Sequence, residues 1–326
     1  MKKLFLSFVA MTLLSTINAQ VPNTYKVATW HDFKESAITY SFDDGTKNQI
    51  PVAIPILEKY GYKATFNLVT NWVSNWSEWK SVAEKGHEIA SHTISHPNFS
   101  QISEEQQRVE LEESKKIIEK EIGKECITMV YPYCVRGNDN IVAEYYISAR
   151  TCSGAACSAS PTNLFDISSK LVGSECPIFS AMHFNNWVSE SAKKNAWSIF
   201  LLHGIDNDGG YSPVTADNFE QHIKFVKESE PLFWVATFAE ISKYIIERNA
   251  LTITETAKGN KYEIVVGLST QSKITKLDQP ITISRDIPKK VKKVKVSCNG
   301  AEVPSRISNG TIIFDVVPGN NYTLVL

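Results

Sequence analysis

The sequence has no surplus of positive charge, no low-complexity tract and no internal repeat. With 34 Lys+Arg against 35 Asp+Glu it lacks the basic excess of a nucleic-acid binder, so no nucleic-acid partner is expected. Six cysteines in 326 residues are too few for a disulfide scaffold. No C-x-x-C pair is there to suggest a structural zinc cluster. Beyond the N-terminus no stretch is apolar for long enough to span a membrane. What is present, 43% hydrophobic and 10% aromatic residues, excludes a disordered chain and suffices for a large core.

The N-terminus reads as a processing signal. Lys2 and Lys3 precede an apolar run, Leu4 to Leu14, and Ala19 stands before Gln20, so residues 1–19 are expected to be a signal peptide. At about 1.5 Å per residue the run is too short to cross a bilayer core of roughly 30 Å. No cysteine follows it, which argues against a lipid anchor. Cleavage would remove two lysines and no acid, taking the net charge from -1 to -3. A secreted, periplasmic or cell-surface location follows, where cysteines pair readily. Cys152 and Cys157 bracket a small-residue loop and are a candidate pair, with the other connectivities open.

Strand and helix signals then alternate. AITYSFD (37–43), ATFNLV (64–69), HEIAS (87–91) and CITMVYPY (126–133) read as strands, with helices between them closed by Gly61, Gly86 and Gly123. WSIFLLH (197–203) and FWVATF (233–238) continue the pattern, and AEISKYIIERNA (239–250) ends it. Pro55 sits awkwardly inside the first helix. Ser103 and Gln106 have the spacing of a capping box. The charged helix that follows, SEEQQRVELEESKKIIEK, reads as a solvated face with no functional meaning. Alternation of this kind predicts parallel β/α units.

After Ala250 six short segments alternate with period 2. The expected organisation is a catalytic α/β domain over residues 20–250 and a small all-β, sandwich-like domain over 251–326. The latter has few aromatics, which favours an accessory structural role over a sugar-stacking platform. Its lysine run (Lys289, Lys290, Lys292, Lys293, Lys295) is expected on an exposed edge strand.

Chemistry-bearing side chains gather at strand ends. Asp43 and Asp44 end the first strand, His92 and His96 follow the third, and His203 closes WSIFLLH. In a barrel those ends share one face. HEIASH is not a zinc-protease motif, because its histidines are five apart where H-E-x-x-H needs four. Two imidazoles and a carboxylate make a facial metal set with open positions, a second carboxylate supplies a base, and a further histidine an acid. Alone, each piece has a plain structural explanation; their combination does not.

Ser41-Phe42-Asp43-Asp44-Gly45, Ser91-His92-Thr93-Ile94-Ser95-His96-Pro97, Tyr131-Pro132-Tyr133 and Phe200-Leu201-Leu202-His203 occur in the order found in polysaccharide deacetylases. Over roughly residues 35–245 the chain resembles this NodB-homology group, carbohydrate esterase family 4. The resemblance implies a distorted (β/α) barrel and metal-dependent deacetylation of a polysaccharide or oligosaccharide. Asp44, His92 and His96 would hold a divalent metal, zinc above all, with cobalt, nickel or manganese as alternatives. Asp43 would be the base acting on the attacking water and His203 the acid for the leaving group. The backbone N–H of Tyr133 would stabilise the oxyanion, and Leu201 would line an acetyl pocket. Trp72 and Trp187 are candidate sugar contacts, whereas Trp79 reads as core packing.

Three departures from the family pattern stand out. Val130 occupies the place of an arginine that steadies the catalytic aspartate, and Cys134 that of a glycine. No aspartate precedes Trp187 to support the acid histidine, for which Asp206 is a substitute candidate. The missing arginine and the appended β-domain motivate a rival reading, a catalytically impaired carbohydrate-binding protein. N-acetyl and O-acetyl substrates both stay open, since the motifs are common to both.

Overall fold

The computed structural model describes residues 21–326; the expected signal peptide lies outside the described residues. A short strand, β1 (Tyr25–Val27), precedes the α/β region. That region begins with β2 (Ser36–Asp43), whose eight residues are all buried, as befits a strand with neighbours on both sides. There follow α1 (Ile54–Lys59), β3 (Thr65–Leu68), α2 (Trp76–Glu84), β4 (Glu88–Ser91), α3 (Glu104–Ile122), β5 (Thr128–Val130), α4 (Asp139–Val142) and β6 (Ser148–Arg150). The second half holds β7 (Lys170–Leu171), α5 (Ala181–Ala192), β8 (Trp197–Leu202), α6 (Ala216–Glu228), β9 (Phe233–Val235) and α7 (Phe238–Ala250).

Every pairing in this sheet is parallel, in the order β6-β5-β4-β3-β2-β8-β7, with β9 joined to β2. At the far side, Arg150 of β6 forms a parallel bridge with Ile167, which precedes β7. The result is the expected distorted (β/α) barrel, with all strand carboxyl ends on one face. Its interior and helix-facing core are continuous: Tyr40, Phe42, Phe66, Leu68, Trp79, Phe200 and Phe219 belong to one buried cluster.

Local chemistry sets the helix ends. Pro55 is the second residue of α1, directly after a wide π-type turn over Gln49–Ala53, and so sits in the first turn, where proline is best tolerated. Ser103 and Gln106 do form a reciprocal capping box, and Gly123 closes α3 in the left-handed region at φ 76°. Thr237 and Glu240 form a second box, so FWVATF is a strand only to Val235 and turns into α7.

The C-terminal strands are β10 (Leu251–Lys258), β11 (Lys261–Leu268), β12 (Ile281–Asp286), β13 (Lys295–Cys298), β14 (Ala301–Glu302), β15 (Ser305–Ser308), β16 (Thr311–Val316) and β17 (Asn321–Val325). They make two antiparallel sheets, β10-β11-β17-β13-β14 and β1-β12-β16-β15. Ile253, Ile264, Val266 and Leu324 of the first meet Ile283, Ile312, Phe314 and Val316 of the second in one core. The N-terminal strand β1 is thus built into a C-terminal sheet, in register Tyr25–Arg285 to Val27–Ile283. The lysine run is not on an edge strand: Lys289, Lys290, Lys292 and Lys293 precede β13, which lies between β17 and β14. Among the described residues no helix is long and apolar enough to cross a membrane.

Helix α7 joins the two parts. Phe238, Ile241 and Ile245 enter a core with Trp30 and Trp197 of the barrel side, while Tyr244 packs among the β-sheet residues. Glu247, completely buried, accepts the N–H of Gln279 on both oxygens, at 3.0 and 2.9 Å. Burial pushes its carboxyl from the ordinary 4.5 up to about 7, against the pull of this N–H and of Lys243; Asp278 adds to the rise. Between those pH values the folded protein retains a proton that the unfolded chain has released, so stability falls as pH rises through the window. In thermal or urea unfolding from pH 4.5 to 7.5, wild type should lose on the order of 1–3 kcal/mol relative to Glu247→Gln, which cannot ionise. A difference that stays constant with pH would contradict this.

Candidate active site

The barrel's carboxyl face brings Asp43, Asp44, His92, His96, Tyr133, Leu201 and His203 to one cleft of about 460 Å3, together with Tyr131, Cys134, Cys152, Leu171 and Tyr211. Asp43 is the last residue of β2, His92 the first beyond β4, and His203 the first beyond β8. Side chains remote in sequence meet because parallel strands deliver their ends side by side. Several residues here have a left-handed backbone despite a Cβ: Asp44 (φ 70°), His96 (φ 60°), Tyr133 (φ 55°) and Cys134 (φ 59°). Such conformations cost on the order of 1–3 kcal/mol each and persist where the surrounding structure fixes them. Gly45, at φ 65°, continues the turn that aims Asp44 into the cleft.

Asp44, His92 and His96 offer ligand atoms that lie within 4.8 Å of one another. Asp44 Oδ1 is 3.6 Å from His92 Nε2 and 3.9 Å from His96 Nε2, and the two Nε2 atoms are 3.2 Å apart. His92 is fixed through Nδ1, 2.9 Å from the Val130 carbonyl, which accepts its proton and leaves the Nε2 lone pair facing the cleft. Burial lowers the imidazole of His92 to about 4 and lowers that of His96 as well, so both are neutral and ready to ligate at neutral pH. Asp44 is pushed up to about 7 by burial and then by the charge of Asp43. Its Oδ1 is buried without a hydrogen-bond partner. This donor set fits a divalent cation: two neutral nitrogens, one carboxylate in need of positive charge, and room on the cleft side.

Helix α3 is more than a solvated face. Glu110 Oε2 accepts the N–H groups of Ile94 and Ser95 at 2.8 and 3.0 Å, and Oε1 accepts the Ser95 hydroxyl at 2.5 Å. It thereby pins the loop between the two histidines. Thr93 Oγ1 accepts the N–H of His96 at 3.0 Å and completes the turn.

Asp43 is 3% exposed, and its partners were not foreseen. Arg150 Nη2 lies 2.6 and 2.5 Å from its two oxygens, and Asn67 Nδ2 donates to Oδ1 at 2.8 Å. Burial alone would raise this carboxyl; the Arg150 guanidinium outweighs it, aided by the neighbouring imidazoles, and holds it below the usual range. Asp43 is therefore ionised at neutral pH. The place left by Val130 is filled from the next strand, since Val130 pairs in register with Arg150. An apolar segment ending in a lone arginine, ISAR (147–150), was the available signal, but its three-residue strand is too short for periodicity to mark.

His203 faces Asp44 across the cleft, Nε2 to Oδ2 4.0 Å. Burial lowers its imidazole, and Nδ1 has no hydrogen-bond partner. Asp206 does not support it: its Oδ1 accepts the N–H of Ala216 at 2.9 Å and caps the entry to α6. Tyr211, absent from the sequence-based set, stands edge-on to His203 at 5.4 Å. Trp72 is half exposed, its ring 5.1 Å from that of His96, on the rim. Trp187 is elsewhere, on α5 under the Lys170 ammonium, lining a separate cleft with Cys157 and Ala196. The disulfide joins Cys134 to Cys152, not Cys152 to Cys157. Cys157 is buried on the opposite side of this loop, where its backbone bridges Trp197.

A family model described as polysaccharide deacetylase matches residues 31–146. That span includes Asp43, Asp44, His92, His96 and Tyr133 but ends before Arg150 and His203. Among curated proteins, gellan lyase of a Bacillus species is 25% identical over 279 residues, 79% of this chain and 11% of that protein. Peptidoglycan-N-acetylglucosamine deacetylase of Bacillus cereus is 28% identical over 93 residues, 28% of this chain and 34% of its own. The chain thus spans well under half the length of these relatives. A solved structure from Mycobacterium smegmatis, provisionally classed as a polysaccharide deacetylase, superposes with a TM-score of 0.57 at 17% identity. It covers 71% of this chain and 97% of that one, a likeness of fold. Over residues 31–146 the chain is thus similar to the polysaccharide deacetylase family.

Proposed function

We propose that the chain is a metal-dependent carbohydrate deacetylase that hydrolyses N-acetyl or O-acetyl groups of a polysaccharide or oligosaccharide. The observation that carries the reading is one cleft holding a His/Asp/His donor set beside an ionised, arginine-clamped carboxylate. Asp44, His92 and His96 hold the cation, zinc by preference for two imidazoles and a carboxylate, with cobalt, nickel or manganese as substitutes. When bound, it polarises the acetyl carbonyl and makes water a nucleophile near neutral pH.

The chain's own residues supply the rest. Asp43, kept ionised by Arg150, takes a proton from the attacking water. The backbone N–H of Tyr133, on a loop held in a left-handed conformation, donates to the developing oxyanion. His203 gives a proton to the departing amine or alkoxide; its buried ring holds that proton weakly, which favours the transfer once it is protonated. Leu201 and Leu171 form an apolar wall suited to the acetyl methyl. Trp72 and Tyr133, exposed on the rim, suit a sugar ring.

Export is part of the proposal, supported by the Leu4–Leu14 run and by a disulfide, which persists in oxidising compartments. The rival of an impaired binding protein loses its main motive, since Arg150 meets Asp43 where Val130 cannot.

Acetate release from chitooligosaccharide, peptidoglycan and acetylxylan, with and without chelator, tests the reading; activity indifferent to thorough chelation would overturn it. Asp44→Ala, His92→Ala and His96→Ala should each lose bound metal, measured by elemental analysis, and acetate release together. Asp43→Asn should retain the metal and lose kcat by about 10²–10⁴-fold. Acetate release at the wild-type rate from Asp43→Asn would remove the aspartate from the base role.

A further inference from the structure

Two departures within one motif, Val130 and Cys134, both face counterparts on the neighbouring segment. Val130 pairs with Arg150, and Cys134 is disulfide-bonded to Cys152, two residues beyond that arginine. Paired residues of adjacent strands point to the same face, about 4.8 Å apart, so a long side chain from either reaches nearly the same point inside the barrel. Arg150 is 1% exposed and its fork is held from behind: Nη1 donates to Ser169 Oγ at 3.1 Å, and that hydroxyl donates to the Thr151 carbonyl at 2.6 Å.

The β5–β6 ladder ends at the Val130–Arg150 pair, with one further bond from Tyr131 N–H to the Arg150 carbonyl, at 3.2 Å. Beyond it the chain turns through Tyr133 and Cys134, both left-handed. A glycine would adopt that conformation freely; a cysteine does so under strain and needs an external restraint. The disulfide to Cys152 is that restraint, and it closes the ladder where its hydrogen bonds stop.

Taking the deacetylase reading of the cleft as given, we infer that Arg150 is the positioning residue that orients the Asp43 carboxylate, working from β6 in place of a β5 arginine. We further infer that the Cys134–Cys152 disulfide belongs to the same device. It locks the strand end that carries the guanidinium to the loop that carries Tyr133. Nη2 meets both Asp43 oxygens while Nη1 of the same planar group is held by Ser169, an arrangement that lysine, a point charge, reproduces only in part.

The test is acetate-release kinetics on zinc-loaded protein, with melting temperature and metal content measured for every variant. Arg150→Met should lower kcat about 10²-fold with KM within threefold and metal content unchanged, and Arg150→Lys should fall between it and wild type. Val130→Arg combined with Arg150→Val, which returns the arginine to β5, should regain at least about tenfold over Arg150→Met. Cys134→Ser with Cys152→Ser should lower kcat about tenfold, with KM within threefold and metal content unchanged. Should Arg150→Met not fold, a metal-replete Arg150→Lys with lowered kcat and unchanged KM decides in favour. Arg150→Met or Arg150→Lys with wild-type kcat, or disulfide loss with wild-type kcat, overturns the inference while leaving the deacetylase reading intact. A zinc-loaded wild type that releases no acetate from any of the glycans overturns both.

Discussion

A carboxylate held almost out of water at the end of the central strand is the constraint around which the carboxyl face is arranged. An ionised Asp43 at 3% exposure is costly unless a partner charge and hydrogen bonds compensate it. Arg150 and Asn67 provide both, from strands on either side of the barrel interior. The adjacent Asp44 has no such clamp: burial and the charge of Asp43 push its carboxyl up, and its Oδ1 is unpartnered. Two acids adjacent in sequence thus face different environments: one is satisfied by the protein, and the other is suited to a cation.

The same face stores strain. Asp44, His96, Tyr133 and Cys134 all have positive φ. Gly45 continues the Asp44 turn, Thr93 and Glu110 hold the histidine loop, and a disulfide anchors the Tyr133 loop. The long charged helix α3, which looks like mere solvated surface in sequence, contributes Glu110 to this scaffold. The β-sheets play a different part. They are bound through α7, through β1 and through the buried Glu247, all remote from the cleft.

Much of the site was legible because its motifs are local. Asp43-Asp44-Gly45 and His92 with His96 are short segments at strand ends, and strand ends of parallel β/α units share a face. The parallel alternation itself followed from apolar runs punctuated by Gly61, Gly86 and Gly123. Arg150, Tyr211 and Glu110 were not legible, since each acts through a contact between segments distant in sequence. Asp206 and Trp187 stood in plausible positions in sequence and were turned to other uses by their helices, α6 and α5. Cys157 was near Cys152 along the chain but far from it in direction, while Cys134 came alongside through sheet pairing.

Period, punctuation and motif spacing are properties of neighbouring residues, so the sequence by itself determined the β/α alternation, the all-β C-terminal region and the choice of Asp44, His92 and His96 as the proposed cation ligands. Register, in contrast, is a property of two strands at once. Only the tertiary structure decided that Arg150 stands beside Val130, that Cys152 meets Cys134, and that β1 completes a sheet of the opposite terminus. The physical reason is that burial of a charge or closure of a disulfide is judged in space, by what lies within a few ångströms, and the chain order carries no measure of that distance.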